Sequence, residues 1–187
     1  LDAQAGDVRY NTDTLKFEYF ESGEWTNNID VADNVYYVST SGSNNYNGKT
    51  IGSAFRTIEY ALTQIPDSST LKVLAGNYTL DNPVTVPCNV GIVGDSLRTV
   101  TVRAGNPTLD MFWVNNGSYL AHITFKDHEA PSAAVAFNPD GSAGEIFQSP
   151  YVQNCTSITT TGTGMRVDGR HSEGLKSMVV DAFTQYN

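Results

Sequence analysis

From Leu71 to Gly169 the chain is a procession of short apolar runs: "LKVLAG", "VTVPC", "VGIVG", "TVTVRAG", "DMFWVNNG", "LAHITF", "AAVAF", "YVQNC" and "GMRVDG". Turn residues cut each one off. Runs of about four to seven residues are too short for helices and have the length of strands. The regions of Ile92, Phe112 and Val135 follow one another at intervals of about 20 residues, inside the range of solenoid repeats. "VNNGS" at Val114 and "VQNCT" at Val152 read as one turn used twice. A polar Asn at the end of an apolar strand can hydrogen-bond the backbone of the next layer, which satisfies stacked turns.

One segment ahead of the procession breaks the pattern. "YYVSTSGSNNYNGKTIGSAFRTIEYAL", from Tyr36 to Leu62, opens as a strand, passes through Gly, Ser and Asn, and then places apolar residues at helical steps. Phe55, Ile58, Ala61, Leu62 and Ile65 fall on one face, with Ser53 as the expected N-cap and Pro66 as the stop. No second helix of that quality follows until the last residues, so this apolar face must cover the end of a sheet structure. Parallel β-helix and antiparallel sandwich both fit short strands. The lone helix decides between them, because a solenoid needs a cap on its open end and a sandwich does not.

Residues 1–33 form a separate unit. "GDVRYNTDTLKFEYFESGEWTNN" holds two aromatic-rich runs, Val8 to Tyr10 and Lys16 to Phe20, with turn residues after each. This is a small β-meander, too small to stand alone, so Tyr10, Phe17, Tyr19 and Trp25 are expected to pack on something else, such as a second copy. Residues 34–69 then supply the opening strand, the Gly/Ser/Asn loop and the capping helix, and residues 70–187 the coil.

Composition narrows the function. The formal charge is −9, so a stripe of Lys and Arg able to neutralise phosphates is missing and nucleic acid is excluded as an expected partner. No run approaches the ~20 apolar residues of a membrane helix, and "LDAQAGDVRY" lacks the features of a signal peptide. The chain reads as soluble, without membrane insertion. Cys88 and Cys155 lie far apart beside strand-like runs and are expected to be free thiols. The Asn-x-Ser/Thr triplets at Asn77, Asn116 and Asn154 are attributed to chance in a chain rich in Asn and Thr.

Beyond its periodicity, the chain resembles known families. "YYVSTSGSNNYNGKTIGSAFRTIEYAL", "LKVLAGNYT" and "VGIVGDSLRTVTVRA", over residues 36–104, are similar to the first segment of right-handed parallel β-helix proteins of the pectate-lyase-like superfamily. "GDVRYNTDTLKFEYFESGEW" resembles a motif of tail-fibre and other virion proteins of tailed phages. "GMRVDGRHSEGLKSMVVDAFTQYN" is similar to a segment of large virion structural proteins of contractile-tailed cyanobacterial phages. The resemblance implies an all-β, right-handed, single-stranded parallel β-helix in a tail fibre, tailspike or baseplate-associated protein. It also implies a homotrimer that meets other tail proteins and host-surface glycans. Such proteins carry more coils, so Leu175, Met178, Val179, Val180 and Phe183 are expected to meet further coils or another subunit.

Two enzyme readings compete with this one. "GDSL" at Gly94–Leu97 with "DGRH" at Asp168–His171 matches the serine and Asp-x-x-His blocks of an esterase family. In those enzymes the serine begins a helix, and Gly and Asn donors complete the oxyanion site. Here Ser96 precedes "RTVTVRA", whose period of two marks a strand, so Gly94–Leu97 reads as a turn. A polysaccharide lyase or glycoside hydrolase is the stronger enzyme reading, because paired carboxylates do acid–base work or bind calcium beside a uronate. Its candidate acids are Asp127, Glu129, Asp168 and Asp181, with Arg103, Arg166 and Arg170 as partners. None forms a recognisable set, so no catalytic residue is assigned.

His122 is expected to face outward on a strand, and His128 and His171 to lie in turns. "NPDGSAGE" at Asn138–Glu145 misses calcium-loop spacing, and no metal ligand or cofactor site is assigned. Trp113, Tyr119 and Tyr151 are candidates to stack on sugar rings, with core packing the plainer reading of Trp113. The carbohydrate-binding residues stay open.

Overall fold

Parallel pairing organises most of the chain. A computed structural model describes residues 4, 7–12, 16–21, 23–26, 34–137, 148–167 and 179–186. Two compact units result, Leu1–Asp33 and Asn34–Asn187. The first is an antiparallel sheet of β1 (Val8–Asn11), β2 (Lys16–Glu21) and β3 (Glu24–Thr26) in that order. Arg9 organises it: its guanidinium donates to the Glu18 carboxylate at 2.9 Å and lies 4.2 Å above the Trp25 ring. That hydrogen bond holds the Glu18 carboxyl below its ordinary range. Trp25 also meets Phe20 edge-on at 5.3 Å, so it packs within the meander. The side chains of Tyr10, Phe17 and Tyr19 lie outside the described residues.

The second unit runs from β4 (Val35–Val38) through helix α1 (Ile58–Gln64) to β5 (Thr70–Val73), β6 (Gly76–Leu80) and β7 (Val84–Thr85). It continues with β8 (Gly91–Gly94), β9 (Val100–Ala104), β10 (Phe112–Val114), β11 (Tyr119–Ala121) and β12 (Thr124–Lys126). After β13 (Ala133–Phe137) come β14 (Tyr151–Ile158), β15 (Thr163–Val167) and β16 (Val179–Tyr186). These strands make two sheets. One has the order β4-β5-β8-β11-β14-β12-β9-β6, with β16 added to β14; the other has the order β15-β13-β10-β7. Every strand pairing among the described residues of this unit is parallel, which removes the antiparallel sandwich.

Register turns the pairings into columns. Tyr36, Leu71, Ile92, Leu120 and Val152 follow one another across β4, β5, β8, β11 and β14, and all five are buried. Val84, Phe112, Val135 and Met165 form a second column, and Tyr78, Val102 and Phe125 a third. Along these columns the chain advances roughly 20 to 35 residues per step. The expected spacing holds from Phe112 to Val135, which pair directly, but Ile92 belongs to the other sheet and stacks on Leu120. "VNNGS" and "VQNCT" are likewise not one turn used twice: Val114 ends β10, whereas Val152 lies inside β14. Asn115 does bond across layers, donating to the Val86 carbonyl at 3.1 Å.

A bend divides the larger sheet. His122, Asn154 and Ala182 occupy equivalent positions after the register triplet Ala121, Gln153 and Asp181, with φ of 58°, 47° and 52°. A left-handed residue re-aims the strand, and the alternation slips there: in β14 the buried positions are Val152, then Cys155 and Ser157. Gly94 holds the same place one layer earlier. A Cβ on it would come within 2.2 Å of the His122 carbonyl oxygen, so only glycine fits.

Helix α1 packs on β4, β5 and β6, burying Ile58, Ala61 and Leu62 with Phe55 and Ile65 at its flanks. Its N-cap is Thr57, whose hydroxyl accepts from the Tyr60 amide at 3.3 Å. Ser53 instead closes a 3-10 turn, Ile51–Ser53, as the partner of Thr50 in a capping box. The Gly/Ser/Asn loop owes its composition to Phe55: at Gly48, where φ is 71°, a Cβ would sit 2.2 Å from the Phe55 ring. Among the described residues no helix is long and apolar enough to cross a membrane.

Leu120 is fully buried at the middle of its column. Leu120→Ala is expected to cost about 2–5 kcal/mol in urea unfolding, and Thr101→Ala on the outer face within about 0.5 kcal/mol. Equal losses at the two positions would contradict the assigned register.

Candidate functional site

The outer face of β9, β12, β14 and β16 carries the chemistry. Period-two alternation sends Val102 and Phe125 inward, so the residues on either side of them point out. One outward column is Thr101, Thr124, Thr156 and Thr184; the next is Arg103, Lys126, Ile158 and Tyr186. β-branched threonines suit this surface, and stacked Thr pairs stabilise neighbouring strands.

Two clefts flank the second column. The first, about 540 Å³, is lined by Asp127, Glu129, Thr159, Thr160, Ile158 and Tyr186 among others. It brings together two of the sequence-predicted acids and, at its edge, Arg103, whose guanidinium donates to Asp127 at 2.5 Å. Both side chains of that pair are largely solvated, so it adds little to stability. Glu129 is exposed too. A general acid that protonates a leaving group needs a shielded carboxyl, and neither acid has that shelter. The second cleft, about 430 Å³, is lined by the four threonines with Arg98, Lys126, Ile158 and Tyr186.

The remaining candidates are spread over the molecule. Arg166 pairs with Asp110, not with any of the predicted acids. Asp110 is the buried hub that sequence reasoning missed: it accepts from Arg166, from Trp113 Nε1 at 3.0 Å and from the Ala133 amide at 2.8 Å. Its one visible signal was an acid set directly before the apolar run "MFWV". Trp113 is not a core residue; it stands half-buried on the outer side of β10, tied down by Asp110. Asp181 is exposed on β16 and accepts from Gln153 Nε2 at 3.0 Å. Asp168, Arg170, His171 and Asn138–Glu145 lie outside the described residues, as do Leu175 and Met178.

Tyr119 and Tyr151 stack on each other, with centroids 5.6 Å apart and planes at 25°. Gly91 lies under the opposite side of Tyr119, and the Tyr119 hydroxyl donates to Gln153 at 2.6 Å. The faces that the two rings turn towards each other are not open to a sugar. Gly94–Leu97 runs from the end of β8 into the turn before β9, and the Ser96 hydroxyl lies 3.1 Å from that of Thr99, with neither His122 nor His128 bonded to it.

His122 is the half-buried residue of the bend, whereas His128 is wholly buried. His128 Nε2 and the Ser157 hydroxyl are 3.1 Å apart, and Nδ1 has no hydrogen-bond partner among the described residues. Ser157 is buried as well, so this Ser–His pair cannot reach a substrate. Loss of water pushes the imidazole below its ordinary value; the Thr163 backbone and the Asp127 and Asp110 carboxylates offset part of that shift. Both cysteines are free thiols, Cys155 buried and Cys88 half-buried. Burial pushes the Cys155 thiol up to about 11.

No protein-family model, curated protein or solved structure matches the chain.

Two outcomes follow from the buried groups. The unfolded state holds a His proton at about 6.5 and the folded state only at lower pH, so stability is complete above that value and declines as pH falls below it. Urea midpoints should therefore fall below pH ~6.5, and His128→Gln should flatten that limb; an identical acid limb in the variant would contradict the assignment. With a thiol reagent at neutral pH, Cys88 should react first and Cys155 only on unfolding. Equal rates would contradict this placement.

Proposed function

We propose that the chain is a right-handed, single-stranded parallel β-helix serving as a structural segment of a phage tail fibre, tailspike or baseplate-associated protein, and that it attaches the virion to host-surface glycans as a homotrimer. The observation that carries this reading is the return of one chain, layer after layer, to the same in-register columns. Parallel sheets built on crossover helices are covered on both faces, whereas here strands such as β9, β12 and β14 turn one face outward with no described helix over it, β13 being buried along its whole length. A coil meets that condition. Handedness follows from the twist of L-residue strands, which makes parallel crossovers right-handed in about 98% of cases.

The virion assignment is supported by the N-terminal and C-terminal motif resemblances and by the character of the outer face. Hydroxyls, Lys126 and an exposed tyrosine on strands, with Arg98 in the turn before β9, suit adhesion by many weak contacts, which a trimer multiplies. Depolymerase activity on the same fold is the second reading, favoured by the cleft that holds Asp127 and Glu129.

Peptide mapping of purified tailed-phage particles is the test of the first reading. Peptides of this chain are expected in the particles, and their presence only in culture fluid would contradict the assignment. Incubation with host polysaccharide is expected to release neither reducing ends nor unsaturated sugars; release would establish the depolymerase.

A further inference from the structure

The three salt bridges of the described residues leave Arg98 and Lys126 without a carboxylate, on a chain whose formal charge is −9. Neither side chain donates a hydrogen bond to another described residue. Arg98 sits in the turn before β9 and Lys126 ends β12, yet both open into the cleft of the threonine column. No acid lines that cleft among the described residues. Asp127 and Glu129 belong to the neighbouring cleft, and Ile158 and Tyr186 are common to both.

The geometry points to an oxyanion-binding groove: a carboxylate, sulfate ester or phosphate carried on a hydroxyl-rich chain is held by Arg98 and Lys126 while its hydroxyls meet the threonine column. This rests on the reading of the outer face as a glycan-attachment surface and adds the charge class of the ligand. Unpaired cations favour an anion over any neutral sugar, since a neutral ligand would have to displace their water without replacing the charge. Parallel strands lie about 4.8 Å apart, so Thr101, Thr124, Thr156 and Thr184 place one hydroxyl per layer at close to the length of a pyranose unit in an extended chain; that of Thr124 donates to the Leu97 carbonyl at 2.7 Å and meets the ligand as an acceptor. Tyr186, 60% exposed, supplies an aromatic wall. The adjacent carboxylates repel an anion from the first cleft and direct it to the second.

The test uses the full chain and calorimetric titration with size-matched oligosaccharides that are uronate-bearing, sulfated, phosphorylated or neutral. At least one acidic class should bind, with affinity falling as salt is raised, and the neutral one should bind far more weakly. Lys126→Gln and Arg98→Gln should each weaken that binding about tenfold or more, the worth of one charge-assisted hydrogen bond. Lys72→Gln, on the exposed side of β5, should leave it unchanged. Which acidic class binds identifies the anion. Failure of every acidic oligosaccharide, equal binding of the neutral one, or unaltered binding in both Gln variants would overturn the proposal.

Adhesion to host cells separates this inference from the reading beneath it. If cells hold the wild type and both Gln variants equally, the oxyanion groove is wrong and glycan attachment stands. If cells hold neither while an acidic oligosaccharide binds through Lys126 and Arg98, the groove stands and host attachment falls.

Discussion

The buried column of Leu71, Ile92, Leu120 and Val152 is the contact on which the second unit depends. Each of these side chains touches its equivalent in the layers above and below, so every return of the chain buries apolar surface only if it comes back in register. A slip of one residue would send all of them to water and bring neighbours such as Lys72 and Gln153 inside. The hydrogen-bond ladder adds direction to this. Backbone groups of one layer find partners in the next, which leaves the outer side chains free to be chosen for something other than folding.

That division explains where chemistry can sit. Inward positions are apolar with few exceptions, and His128 and Ser157 are the informative ones because they satisfy each other in part and remain out of reach. Outward positions vary from layer to layer: Thr101, Thr124, Thr156 and Thr184 repeat, while the adjoining column changes from Arg103 and Lys126 to Ile158 and Tyr186. A rigid surface with one repeating column and one varied column is suited to recognising a repeating polymer.

Much of the strand content was legible in the sequence, because short apolar runs between Gly, Asn and Asp leave few alternatives. The helix was legible for a different reason: Phe55, Ile58, Ala61, Leu62 and Ile65 can share a face only at helical spacing. Its cap was misread, since Ser53 and Thr57 are both good N-cap types and the 3-10 turn from Ile51 to Ser53 uses the first of them. Layer assignment was harder. Spacing by residue number put Ile92 beside Phe112, but turns of unequal length separate the two sheets, and only pairing reveals which residues stack. The bend at His122, Asn154 and Ala182 was hidden too, because a left-handed residue shifts the alternation without changing composition.

The site was the least legible part. Asp127 and Arg103 come together because β9 and β12 are neighbours, a contact across 24 residues that no local motif announces. Asp110 and Arg166 meet across 56, reaching over β13, which lies between β10 and β15. The most direct test of the parallel, in-register columns is cross-strand proton contact mapping by NMR on labelled protein. Contacts between the α-proton of one strand and the amide of the next are predicted along Leu71, Ile92, Leu120 and Val152. Close α-proton pairs between consecutive strands such as β8 and β9 would mean antiparallel hairpins, and would contradict the account at its base.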